Sequence, residues 1–197
     1  NVEEGWQALL ELKTEGKIRW GGVCNFRKDH LDTAECVGHV SSNQPMYSLL
    51  ARDIEREVLP WCGERNTGVV VYSPMHSGLL TGKVSRKWHD NLPDNDWRKH
   101  KKDHPVVKYL QTDEDLAHFL VFQEELRRIA DESDHTVGQL AVAWALRRPE
   151  VTSAIVGARR KGQIVETAKA ADWELSENET NAIEATLQQF ITKVENA

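Results

Sequence analysis

The sequence predicts an α/β fold built on a parallel sheet, and three observations carry that reading. Short apolar segments alternate with amphipathic helical stretches along the chain. The strongest apolar segment, Gly68 to Tyr72, holds three consecutive valines instead of an alternating pattern, which suits a strand covered on both faces. Amides, small hydroxyls, an aromatic ring and an arginine recur just after the strands, where parallel α/β proteins gather their ligand sites. The alternation implies right-handed βαβ units and leaves two architectures open, a doubly wound sheet or a (β/α)8 barrel.

Taken in order, Glu3 and Glu4 lead a helix with apolar Trp6, Leu9, Leu10 and Leu12, and Gly16 stands where a left-handed stop belongs. Ile18 to Val23 reads as a short buried strand running into Cys24, Asn25 and Phe26, followed by helical spacing at Leu31, Ala34 and Val37. Ser42 to Gln44 is a weaker strand, and a helix with Ile54, Val58, Leu59 and Trp61 precedes the Gly68 to Tyr72 strand. From about Val84 to Thr112 the chain is polar without a clear period, the mark of a long functional or disordered loop. Capping-box patterns at Thr112 to Asp115, Thr136 to Gln139 and Ser176 to Glu179 each open a helix. Between the last two lie a strand at Thr152 to Val156 and a helix from about Gly162 to Ala171. That makes four strands, where a full barrel has eight.

The chain of 197 residues suits one domain with a sizeable core. A net charge of -6, with 25 Lys and Arg against 31 Asp and Glu, argues against nucleic acid as a partner; the one short basic cluster runs from Arg98 to Lys102. No apolar run is long enough to cross a membrane and no secretion signal is visible. Cys24, Cys36 and Cys62 form no CxxC pair, as expected where thiols stay reduced, so the cytoplasm is the expected compartment. The chain opens on Asn1 and enters a helical pattern almost at once, so further sequence is expected upstream.

The residues after the strands form a candidate set: Cys24, Asn25 and Phe26; Asn43 and Gln44; Tyr72, Ser73 and Pro74; Gly157, Ala158 and Arg159. Asn25 and Gln44 both donate and accept, as a carboxamide ligand requires, and Tyr72 offers a flat face for a ring. Arg159 at a helix start suits a phosphate. Each residue also has a plain alternative: Asn25 closing a turn, Gln44 ending a strand beside Pro45, Tyr72 in the core, Arg159 a solvated charge. Ser77 to Lys83 departs from a Walker loop at two positions, and His89, His100 and His104 lack a metal framework. Asp90 to Asp96 lacks the glycine and terminal glutamate of a calcium loop. Trp88 and Trp97, within the long loop, are candidates for covering a substrate.

Four segments resemble the aldo-keto reductases, in the right order and across nearly the whole chain. They are Gly16 to Phe26; Asn43-Gln44-Pro45-Met46-Tyr47-Ser48-Leu49-Leu50; Tyr72-Ser73-Pro74-Met75 with Ser77 to Lys83; and Ala154 to Arg159. The resemblance implies the C-terminal half, strands five to eight with their helices, of a (β/α)8 TIM barrel, as one partial domain over 1–197 with a long strand-seven loop at about 84–112. It implies reduction of small aldehydes or ketones with NADPH (NADP+ when oxidised). In that family's pattern Cys24, Asn25 and Gln44 hold the nicotinamide carboxamide and Tyr72 stacks on its ring. Ser73, Pro74, Leu79, Leu80, Gly82 and Lys83 follow the pyrophosphate, while Gly157, Ala158, Arg159, Gln163, Glu166 and Thr167 take the adenosine and its 2′-phosphate.

Two positions depart from the pattern, Cys24 where serine is usual and Thr167 where asparagine is common. The family's catalytic aspartate, tyrosine, lysine and histidine belong to strands two to four, all N-terminal to Asn1, so no catalytic residue is assigned here. The resemblance therefore implies a cofactor-binding half without activity of its own. The alternative is a non-catalytic nucleotide-binding or assembly module that pairs with a separate N-terminal half or with itself.

Overall fold

The computed structural model describes residues 1–100, 104 and 106–195, the side chain of His100 apart. Lys101 and Lys102 of the basic cluster, Pro105 of the long loop, and the side-chain relation of His100 to His104 lie outside the described residues.

Four parallel strands make one sheet in sequential order: β1 (Gly22–Cys24), β2 (Ser42–Gln44), β3 (Gly68–Tyr72) and β4 (Val151–Ile155). Helices α1 (Val2–Thr14), α2 (Lys28–Val37) and α3 (Val58–Arg65) come before and between the first three strands. After β3 come a 3₁₀ segment (His76–Thr81), short helices α4 (Arg86–Asp90) and α5 (Trp97–His100), then α6 (Asp113–Asp131) and α7 (Val137–Leu146). Helices α8 (Gln163–Ala168) and α9 (Glu177–Glu195) follow β4.

Register puts Val23, Asn43, Val69, Val71 and Ala154 on the face that meets the helices, and Cys24, Gln44, Val70, Tyr72, Ser153 and Ile155 on the other. The first face is the core: Val69 and Val71 are fully buried, together with Leu31, Leu59, Leu116, Phe119 and Trp144. On the second face Cys24 is exposed and Ile155 is 44% exposed. The expectation that β3 is covered on both faces is thus corrected, because among the described residues helices pack on one side only.

The expected C-terminal half of a (β/α)8 barrel is corrected as well. Among the described residues the strands form an open α/β sheet whose outer strands, β1 and β4, each pair with one neighbour only. Smaller differences concern boundaries. The first strand begins at Gly22, not Ile18, since the chain first climbs from the α1 stop, where Lys17 and Ile18 both donate to Leu12 O. The segment 84–112 is not featureless: it buries Val84, Leu92, Val106, Val107, Tyr109 and Leu110, and its elements are too short to leave a period in the sequence.

The capping boxes are all formed. Thr112 with Asp115, Thr136 with Gln139 and Ser176 with Glu179 exchange side-chain and backbone bonds of 2.7 to 3.2 Å. Glu179 also accepts from Ser133 and from the Trp173 indole, and these bonds hold its carboxyl down at about 2, against the desolvation that opposes them.

Ser48 and His76 lie fully buried and share a 2.8 Å hydrogen bond between Ser48 Oγ and His76 Nδ1. Burial, reinforced by the charges of Lys108 and His104, lowers the His76 pKa to about 4 from 6.5. Between these values the unfolded chain binds a proton that the folded chain does not, so stability falls as pH falls through that window. Melting temperatures taken from pH 7 to 4 are expected to show this decline and a shallower one in His76→Gln. Identical slopes would contradict the assignment.

Candidate functional site

The ends of β3 and β4 frame a cleft of about 700 Å³. Tyr72, Ser73 and Pro74 form one wall, Ile155, Gly157 and Arg159 the other, and Asp96, Trp97 and Arg98 from the segment after β3 close the side. A second hollow of about 220 Å³ continues from it, lined by Gly82, Lys83, Arg127, Gln139, Arg160, Glu166 and Thr167 among others. Met75, Thr81 and Gln163 line both, so the two adjoin along one groove wall.

Local sequence explains the walls. The turn after β3 places Ser73, His76 and Ser77 at positive φ, and His76 N donates to Ser73 O at 2.9 Å. This tight path takes Leu79 and Leu80 into the core, where they are 0% and 1% exposed, and neither lines the groove. Gly82 has φ +73, and a Cβ there would lie 3.1 Å from the Val137 side chain. Glycine is the residue that fits both demands. Arg127 Nη2 then anchors the turn by donating to Gly82 O at 2.7 Å.

Across the groove Gln163 ties its own loop together. Its Oε1 accepts from Arg159 N at 2.9 Å and its Nε2 donates to Gly157 O at 3.2 Å. Thr167 Oγ1 donates to Gln163 O at 2.9 Å. Ala158 is exposed beside the cleft without lining it.

Cys24, Asn25 and Gln44 stand at the same sheet end but outside the groove lining. Asn25 has φ 57, where the chain bends after β1, and its N–H donates to Gln44 O at 3.1 Å, extending the pairing of β1 with β2. Register sets Cys24 beside Gln44, on the same sheet face as Tyr72. Tyr72 is half-buried, between the two readings open from sequence.

Several groove residues escaped the sequence reading. Arg98 is bidentate to Asp96, through Nε at 3.0 Å and Nη2 at 2.6 Å, and its Nη1 donates to Ser77 O at 3.1 Å. Hydrogen bonds from Arg98, with the Arg159 charge adding to them, hold the Asp96 carboxyl down at about 2. The signal was present in part, since Arg98 heads the basic cluster and Trp97 stood out in the loop. Arg160 adjoins the candidate Arg159 and Gln139 was visible as a cap, whereas Arg127 had no signal, because its place is made by an element distant in sequence.

Among the described residues no group of histidine, cysteine and carboxylate side chains could hold a metal ion, and no helix is long and apolar enough to cross a membrane.

This fold, with a groove at the strand ends, defines a class, and comparison with known proteins gives it a family. The aldo/keto reductase family model matches residues 1–188. The chain belongs to the aldo/keto reductase family.

It is 29% identical over 192 residues to aldo-keto reductase YhdN of Bacillus subtilis, covering 97% of this chain and 55% of that protein. It is 32% identical over 176 residues to the NADH-specific methylglyoxal reductase of Escherichia coli, covering 89% of this chain and 51% of that one. The solved structure of glycerol dehydrogenase AKR11B4 from Gluconobacter oxydans overlays with a TM-score of 0.86 at 29% identity, covering 96% of this chain and 55% of that chain. The chain spans about half the length of the relatives it matches. With 96% of the chain lying on that fold, the expected half-barrel gives way to the α/β fold of this family over the matched residues. Neither an inactive cofactor-binding half nor pairing with a separate half or a second copy gains support from these matches.

Proposed function

We propose that the protein is an oxidoreductase that seats NADPH in the groove and reduces aldehydes or ketones. The observation that carries the proposal is that the cleft at Tyr72 and the hollow at Thr167 adjoin, with Met75, Thr81 and Gln163 lining both. Its donor set suits a dinucleotide with an extra phosphate. Arg98 and Arg159 face Asp96 in the first part, and Lys83, Arg127 and Arg160 face Asp131 and Glu166 in the second, so cations outnumber carboxylates in both.

On this reading Tyr72 packs on the nicotinamide ring, with Cys24, Asn25 and Gln44 at neighbouring strand ends holding the carboxamide. The groove-lining residues between Ser73 and Gly82, with Lys83, follow the pyrophosphate, and Gly157 through Thr167 takes the adenosine. When bound, the reduced nicotinamide supplies the hydride that a carbonyl carbon accepts. Arg159 is proposed to favour the 2′-phosphate and hence NADPH over NADH, in contrast to the NADH-specific relative by name.

Titration with NADPH, followed by fluorescence, tests this directly, because Trp97 lines the cleft. Saturable quenching by NADPH, weaker with NADH, is the expected result. A chain that binds neither nucleotide would overturn the proposal.

A further inference from the structure

Gln139 does more than cap its helix. At the N3 position of its capping box its Oε1 accepts from Thr136 N at 2.9 Å, a task that needs an acceptor alone and that glutamate performs as well. The amide is used further: Nε2 donates to Glu166 O at 2.7 Å, reaching out of α7 to the backbone of α8. The side chain is 5% exposed and lines the inner hollow of the groove.

Helix α8 spans Gln163–Ala168, too short to hold itself in water, so its position depends on what grips it. The start of α7 also sets the facing wall, with Val137 against Gly82 and Gly138 near Met75 and Thr81. One helix end thus borders both sides of the hollow, and Gln139 provides its side-chain hydrogen bond to α8, beside the packing of Val142 and Ala143 on Ala170.

We propose that Gln139 is a positioning residue: its bond to Glu166 O sets the place of α8 and thereby the affinity of the inner hollow for the adenosine part of the nucleotide. The inference rests on the nucleotide-binding reading above.

Gln139→Glu keeps the cap acceptor and loses the donor; Gln139→Met removes the amide without adding charge. Both are expected to weaken binding of 2′,5′-ADP about two- to tenfold, the worth of one neutral hydrogen bond, and to leave nicotinamide mononucleotide binding unchanged. Amides of residues 163–168 should exchange faster in both variants without ligand. Equal losses for the two probes, unchanged 2′,5′-ADP affinity, a loss in the Glu variant alone, or unaltered exchange in 163–168 would each overturn the inference. If the unmodified chain failed to bind 2′,5′-ADP, the nucleotide reading would fall first, and this inference with it.

Discussion

Replacing Trp144 with alanine is expected to lower the unfolding free energy by about 3–5 kcal/mol, the range for emptying a buried large aromatic site. Trp144 is fully buried on the core face of α7 and packs on Tyr47 with ring centroids 5.1 Å apart. Its ring also carries two cations, with the Arg147 guanidinium 3.7 Å and that of Arg52 5.0 Å from its centroid. Its indole N–H donates to Glu184 on α9 at 3.2 Å.

Around it runs a partly buried ionic network. Tyr47 donates to Glu55 at 2.5 Å and accepts from Arg147 at 3.0 Å, while Arg52 pairs with both Glu55 and Glu184. Burial and the bond to Glu55 push the Tyr47 pKa up, so the phenol stays a donor to that carboxylate across the ordinary pH range. Removing the indole takes away the apolar floor of this network and leaves its charges worse paired. Denaturant unfolding should show a lower midpoint with an unchanged slope. A midpoint within experimental scatter of the unmodified protein would mean that α7 and α9 are held by other means.

The second large effect concerns binding. Arg159→Ala should weaken NADPH about ten- to a hundredfold, the worth of a charge-assisted hydrogen bond to phosphate, while NADH changes little. The guanidinium is exposed in the cleft wall, so the difference between the two nucleotides should also shrink as salt is raised. Its loop is held through Arg159 N and Gln163, a bond that survives truncation of the side chain, so the fold is expected to tolerate the change. Loss of NADPH preference on Arg160→Ala instead would move the phosphate contact to the inner hollow, where Arg160 lies.

Much of the local fold was legible because it rests on short-range chemistry. The three capping boxes are complete within four residues each, β3 has the bounds read from its apolar run, and β2 has those of the weaker strand reading. The register of Tyr72 beside Ile155 put the candidates of β3 and β4 into one cleft, as their shared place at strand ends implied.

The rest depends on long-range packing that a single pass along the chain does not contain. Leu79 and Leu80 fit the motif, yet the positive-φ path before them sends both side chains into the core. Asn25 takes a left-handed backbone that its residue type allows but its sequence neighbours do not announce, and it stands at the sheet end outside the groove lining. Gln139 was readable as a cap, whereas its second bond spans 27 positions. Val84, Val106 and Leu110 had no visible period because short helices and a 3₁₀ turn, not one long element, bury them.

The central claim is that residues 72–83 and 157–167 form the two sides of one nucleotide seat. Mapping amide chemical-shift changes on addition of NADPH tests it most directly. Shifts concentrated in those two segments and in Asp96 to Arg98, with α1 and α9 silent, are the predicted result. Saturable binding whose shifts fall elsewhere, or on only one side of the groove, would contradict it.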